Sequence, residues 1–127
     1  MKITTTIARY LLGALFLTFG LNGFLHFIPL PPPSGLAGQY MTLMFTSHYL
    51  VPVFLLQAIA GLLLLANRFV PVALVLLGPI IANVWMYHVL LAPSGLTPAI
   101  VSTVLWGLVF YRFREAFAPI FAMKERD

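Results

Sequence analysis

A few polar side chains interrupt long apolar runs in this chain, and their types could do chemistry: Asn22, His26, His48, Gln57, Asn83 and His88. Polar groups in membrane-length apolar segments are costly to bury and are functional candidates by default. An imidazole titrates near neutral pH, shuttles protons and is the commonest metal ligand. Three histidines can hold zinc or copper, and two can ligate a haem, so His26, His48 and His88 are the candidates for a metal or haem. Against this stands an interfacial reading, in which each histidine bonds to headgroups, water and loop carbonyls, much as Trp and Tyr do. The three come from separate segments, so no close pair sets a ligand geometry. The amides neither titrate nor bind most metals well. Asn22, Gln57 and Asn83 either line a pocket together with His26 and His88, or bond between helices and fix the packing. Asn22 and His26 are i,i+4 and share a helix face, whereas Asn83 shares its face with Tyr87 rather than His88.

Other chemistries find no residues to carry them. Every acidic residue, Glu115, Glu125 and Asp127, lies beyond the last apolar stretch, so no carboxylate is placed for paired acid–base work or a proton path. The absence of cysteine excludes disulfides, thiol catalysis, thiolate metal sites and iron–sulfur ligation by this chain. No serine or threonine sits in a nucleophile-elbow pattern, and no phosphate-binding glycine loop occurs. No catalytic residue is assigned.

The elements that must position these residues are set by composition. The chain is 61% hydrophobic and 8% charged, with a mean hydropathy of +1.01, whereas a soluble domain carries about 25% charged residues. An all-α fold follows: one membrane domain over 1–127, with spanning helices at about 7–28, 49–66, 70–91 and 97–114. Each comes close to the ~20 residues that cross a ~30 Å hydrocarbon layer. An outer loop fills 29–48 and a cytoplasmic tail 115–127. Lys2 and Arg9 flank the first stretch, Arg68 lies between the second and third, and Arg112, Arg114, Lys124 and Arg126 follow the fourth. The other two links carry no charge. Basic residues stay on the cytoplasmic side of short loops, so both termini are expected there and all three histidines on the opposite side. The net charge of +4 is thereby assigned to orientation and anionic headgroups rather than to nucleic acid. The first apolar run has no A-x-A-like cleavage site, so it is expected to be a retained helix rather than a signal peptide. The short N-terminus and the charge pattern suit a bacterial plasma (inner) membrane.

Local signals refine this outline. Pro29, Pro31, Pro32 and Pro33 end the first helix in an extended path. Residues 36–47 place Leu36, Tyr40, Leu43 and Met44 near one face, as a short interfacial helix would, with an irregular loop as the alternative. Thr46 or Ser47 is expected to cap the second helix, and Thr97, ahead of Pro98, the fourth. Asn67-Arg68 reads as a tight turn, Pro71 as the opening of the third helix, and Pro79 as a kink within it. Gly13, Gly20, Ala58 and Gly61 are small residues at which helix backbones can approach. Pro33-Ser34-Gly35-Leu36 recurs as Pro93-Ser94-Gly95-Leu96, a faint sign of two related hairpins in parallel orientation.

These same residues carry a family resemblance. Arg9, an apolar helix bearing Gly13 and Gly20, and the ending Asn22-Gly23-Phe24 resemble the opening of DoxX-like membrane proteins. The segment 57–91 is similar too, with Gln57 ahead of Gly61-Leu62-Leu63-Leu64 and a late His88. So are 92–96 and the exit at Tyr111-Arg112. The likeness covers nearly the whole chain through short, apolar motifs. Similar proteins often carry a glutamate where this chain has Gln57, an ionisable group that is missing here. The resemblance implies a four-helix bundle, and a redox-associated role in which some relatives oxidise sulfur compounds with quinone as acceptor, usually beside partner subunits. The expectation is therefore a small membrane subunit that binds a quinone or lipid-like ligand in the outer half of the bundle, lined by Asn22, His26, Gln57, Asn83 and His88. The alternative is a non-catalytic accessory subunit of a larger energy-converting membrane complex. The expected partners are the bilayer and other membrane-protein subunits or further copies of the chain, with no nucleic acid.

Overall fold

The computed structural model describes residues 2–28 and 32–123, and all regular structure among them is helical. The order is α1 (Lys2–Leu25), α2 (Gly35–Thr46), α3 (Leu50–Ala66), α4 (Val70–Leu90), a 3-10 turn (Pro93–Gly95), α5 (Thr97–Arg112) and a 3-10 stretch (Arg114–Phe121). At 1.5 Å per residue, α1 and α4 are about 36 and 32 Å long, whereas α3 and α5 reach only about 26 and 24 Å. By length and composition α1 and α4 can each cross a membrane. A third span is counted if α2 and α3 are taken as one bent pair, with 85° between them.

Several boundaries differ from the sequence expectation. α1 starts at Lys2 rather than near 7: Lys2, Thr5, Thr6 and Arg9 fall on one helical face, where Thr5 and Arg9 find hydrogen-bond partners. It stops at Leu25 rather than 28 because His26 turns left-handed, at φ 52°. The 36–47 segment is helical, as α2. Ser47 and Thr97 do not cap the following helices: neither α3 nor α5 has a side-chain cap bond, and Ser47 closes α2 instead. α4 runs unbroken through Pro79. The expected tail begins as an ordered 3-10 stretch that buries Phe117, its ring 5.0 Å from that of Phe110. Pro29 and Pro31 of the expected extended path, and Lys124, Glu125, Arg126 and Asp127 of the tail, lie outside the described residues. The repeated tetrapeptide adopts two conformations. Gly35 is left-handed at φ 64° and leads into α2, whereas Pro93–Gly95 forms the 3-10 turn ahead of α5.

The helices pack in a ring, α1 against α3, α3 against α4, α4 against α5 and α5 against α1. Gly13 lies against Gly61 and Gly20 against Ala58, so α1 and α3 run antiparallel. A Cβ on Gly61 would sit 2.5 Å from the Leu17 nitrogen and 2.7 Å from the Gly13 carbonyl oxygen, and only glycine permits that crossing. Close backbone approach gains van der Waals contact where surrounding apolar groups offer no hydrophobic drive. Leu12, Leu64, Leu74, Leu77 and Val109 fill the centre of the ring. On the α4–α5 side, Trp85 Nε1 donates to Thr103 Oγ1 (2.6 Å) and Trp106 Nε1 to the Leu74 carbonyl (3.0 Å), which ties the indoles into the seam.

Candidate functional site

The ring has two chemically distinct ends. One holds the histidines. His26 follows α1 and its N–H donates to the Asn22 carbonyl (2.9 Å) in a left-handed helix stop. His48 does the same after α2. At φ 60°, its N–H donates to the Phe45 carbonyl (3.2 Å), while the Tyr49 N–H reaches the Met44 carbonyl (3.1 Å). Histidine is among the few non-glycine residues enriched in this conformation, so two of the three histidines have a backbone reason to be where they are. Both rings are exposed, with His26 beside Phe45 at 6.3 Å. His88 closes the end of α4, with Nδ1 3.2 Å from the Ala92 carbonyl oxygen. Its ring rests on Gly95, where a Cβ would come within 2.7 Å of Cε1. Among the described residues no three histidine or carboxylate side chains gather into a metal-binding group. Each histidine sits at its own helix end, and of the three rings only that of His88 has a hydrogen-bond partner among the described residues.

The three amides also part company. Asn22, 7% exposed, accepts from the Ile28 N–H through Oδ1 (2.7 Å), and its Nδ2 donates to the Ile28 carbonyl (3.4 Å). It fastens the chain that leaves α1. Asn83 is exposed, and its Nδ2 donates back to the Pro79 carbonyl (2.9 Å) one turn earlier. Gln57 is half-buried, and its side chain makes no hydrogen bond among the described residues. The expected interhelical network of Asn22, Gln57 and Asn83 is therefore absent among these residues. A hollow of about 660 Å³ lies on α2, lined by residues from Pro33 to Thr46 and by none of the five expected ligand residues. What the histidine end does bring together is aromatic: Tyr40 of α2 packs on Tyr87 (5.5 Å), which meets His88 edge-on (5.1 Å).

The other end holds basic residues to which the sequence reading gave no site role. Arg9 is 8% exposed, although it carries a full charge. Its Nη1 donates to the Leu64 carbonyl in the last turn of α3, and its guanidinium lies over the Tyr10 ring at 4.4 Å. A cation at a helix C-terminus meets the negative end of the helix dipole. Arg112, at the end of α5, donates through Nη1 to Thr5 Oγ1 (3.2 Å), and Thr5 Oγ1 donates to the Lys2 carbonyl (3.1 Å). Lys2, Thr5, Thr6, Arg9, Asn67, Arg112 and Phe113 line a cavity of about 340 Å³. The signal was present in the sequence: positions 2, 5, 6 and 9 follow the i, i+3, i+4, i+7 spacing of one helical face. It escapes notice if the helix is started at 7. No protein-family model, no curated protein and no solved structure matches the chain.

Proposed function

We propose that this is a small integral membrane protein of the DoxX-like kind that crosses the bilayer four times and works as a non-catalytic subunit, packed against other membrane proteins or further copies of itself. The observation that carries this reading is the outward face of the ring. Leu11 and Leu25 on α1, Leu55 and Leu62 on α3, Val72, Val75 and Val89 on α4, and Val101 and Val104 on α5 are all exposed. A surface this apolar on every helix needs lipid or protein around it. Four crossings ask α3 and α5 to span with 17 and 16 residues, at the short end of what a bilayer accepts by thinning or by anchoring flanking aromatics. The 85° bend between α2 and α3 supports a reading in which α2 lies along the outer interface. The collection of Lys2, Arg9 and Arg112 at one end supports both termini lying in the cytoplasm, and a bacterial plasma membrane suits that arrangement.

A redox-associated subunit that binds a quinone or lipid-like ligand in the outer half is the second reading, favoured by the Tyr40–Tyr87–His88 cluster beneath α2. A native mass spectrum of the protein, extracted gently from its own membrane, separates the two. Assembly with a second polypeptide or a defined homo-oligomer supports the subunit reading, and the partner's identity supplies the complex. A bare monomer carrying a small added mass, lost in His88→Ala, supports the ligand reading and overturns the first.

A further inference from the structure

We infer that the cavity at the basic end of the ring is an anion site that takes a phosphate group. Three basic residues from two helices, Lys2, Arg9 and Arg112, line one cavity, and no carboxylate among the described residues lines it. Among the described residues the only carboxylate is that of Glu115, which is exposed and outside the lining. A buried charge is retained only where it is paired or well hydrogen-bonded. Arg9 is more than nine-tenths buried, and its one hydrogen bond, to the Leu64 carbonyl, leaves most of its N–H donors over. Among the described residues no side-chain nitrogen or oxygen is sealed away without a partner, so the remaining donors of Arg9 keep some exposure, and Arg9 lines the cavity. Around it stand donors suited to phosphate oxygens: the Lys2 ammonium, the Arg112 fork, the Thr6 hydroxyl and the Asn67 amide. α1 also begins here, so its positive dipole end adds to the same field. Like charges drawn together without a counter-charge repel, and an anion in the cavity removes that cost.

The shared chemistry is an oxyanion of phosphorus, and two sources present it: the phosphodiester of an anionic phospholipid, or free phosphate. Basic pockets between membrane helices on the cytoplasmic side do recognise lipid headgroups. Only the lipid source rests on the membrane reading proposed above. The phosphate chemistry itself does not.

The test uses the full chain, delipidated in a nonionic detergent, and reads thermal unfolding against added phosphatidylglycerol, phosphatidylcholine or inorganic phosphate. Phosphatidylglycerol is expected to raise the midpoint, while phosphatidylcholine at the same concentration leaves it in place. Inorganic phosphate raising the midpoint as much as phosphatidylglycerol identifies free phosphate as the source. Phosphatidylglycerol acting alone identifies the lipid. Lys2→Gln and Arg112→Gln are each expected to weaken the apparent affinity about tenfold or more, the effect of deleting one hydrogen bond to a charged group. Arg68→Gln removes the same charge at the neighbouring turn without touching the cavity, and is expected to keep the wild-type response. The proposal is overturned if neither phosphatidylglycerol nor phosphate exceeds phosphatidylcholine, or if Arg68→Gln loses as much as Arg112→Gln, which makes the effect general surface charge. Because these variants alter the rim and leave buried Arg9 in place, a failure to fold does not cloud the result.

Discussion

The two ends of the ring use polar residues in opposite ways. At the histidine end the asparagine and histidine partners are close in sequence, and only the Trp85–Thr103 bond, 18 residues apart, reaches across helices among the described residues. Asn22 bonds to Ile28, Asn83 to Pro79 and His88 to Ala92, and the His26 and His48 N–H groups reach back no further than four residues. At the basic end Arg9 and Arg112 find remote partners: Arg9 with Leu64 is 55 residues apart, and Arg112 with Thr5 is 107. Local bonds stop helices and fasten loops, and they are complete before the ring closes. Remote bonds exist only once α1, α3 and α5 have met, so they report a place that the tertiary fold builds. Residue type pointed to the histidine end, whereas convergence points to the basic one.

Substitutions can break this contrast, and their expected order runs with the reach of the bond removed. Arg9→Met keeps the aliphatic stem but loses the charge, its bond to Leu64 and its contact with Tyr10. A loss of about 2–3 kcal/mol is expected, read by reversible unfolding in mixed micelles. A change below that expected for Asn22→Ala would show that the buried arginine does not tie α1 to α3. Asn22→Ala strands the Ile28 backbone groups, at a cost of about 1–2 kcal/mol. Gly95→Ala drives a methyl into the His88 ring and costs about 1 kcal/mol. In a double-mutant cycle with His88→Ala that cost should vanish, and a fully additive pair would mean that the ring does not rest there.

The smallest effects belong to the residues that looked most chemical. His26→Gly and His48→Gly place glycine where φ is already positive, so stability should stay level or rise by up to about 1 kcal/mol, while His48→Val falls by at least that much. Bound metal or haem lost with either glycine variant would reverse the contrast between the ends. Asn83→Ala removes only an exposed bond to the preceding turn and should cost less than about 0.5 kcal/mol.

Much of the architecture was legible in the chain. Apolar run length located α3 and α4 to within about a residue, and the small residues Gly13, Gly20, Ala58 and Gly61 named the α1–α3 crossing. The charge pattern placed Lys2, Arg9 and Arg112 together at one end. Less legible were the helix ends. Hydropathy started α1 too late because Lys2, Thr5, Thr6 and Arg9 lower the local average while still forming one helical face. Thr97 and Ser47 have the chemistry of caps but not the backbone position for it.

From sequence alone come the helical class, the membrane-scale apolar lengths, the clustering of basic residues and the absence of thiol or carboxylate chemistry in the helices. These depend on composition and on periodicity within one segment, which no neighbour has to supply. Only the tertiary structure decided that the three histidines separate, that Asn22 and Asn83 bond to nearby backbone, and that Arg9 is buried beside Leu64 with Arg112 nearby. Those outcomes depend on helix rotation and on contacts across 55 and 107 residues of chain. A one-dimensional pattern does not encode them until packing fixes which face turns inward.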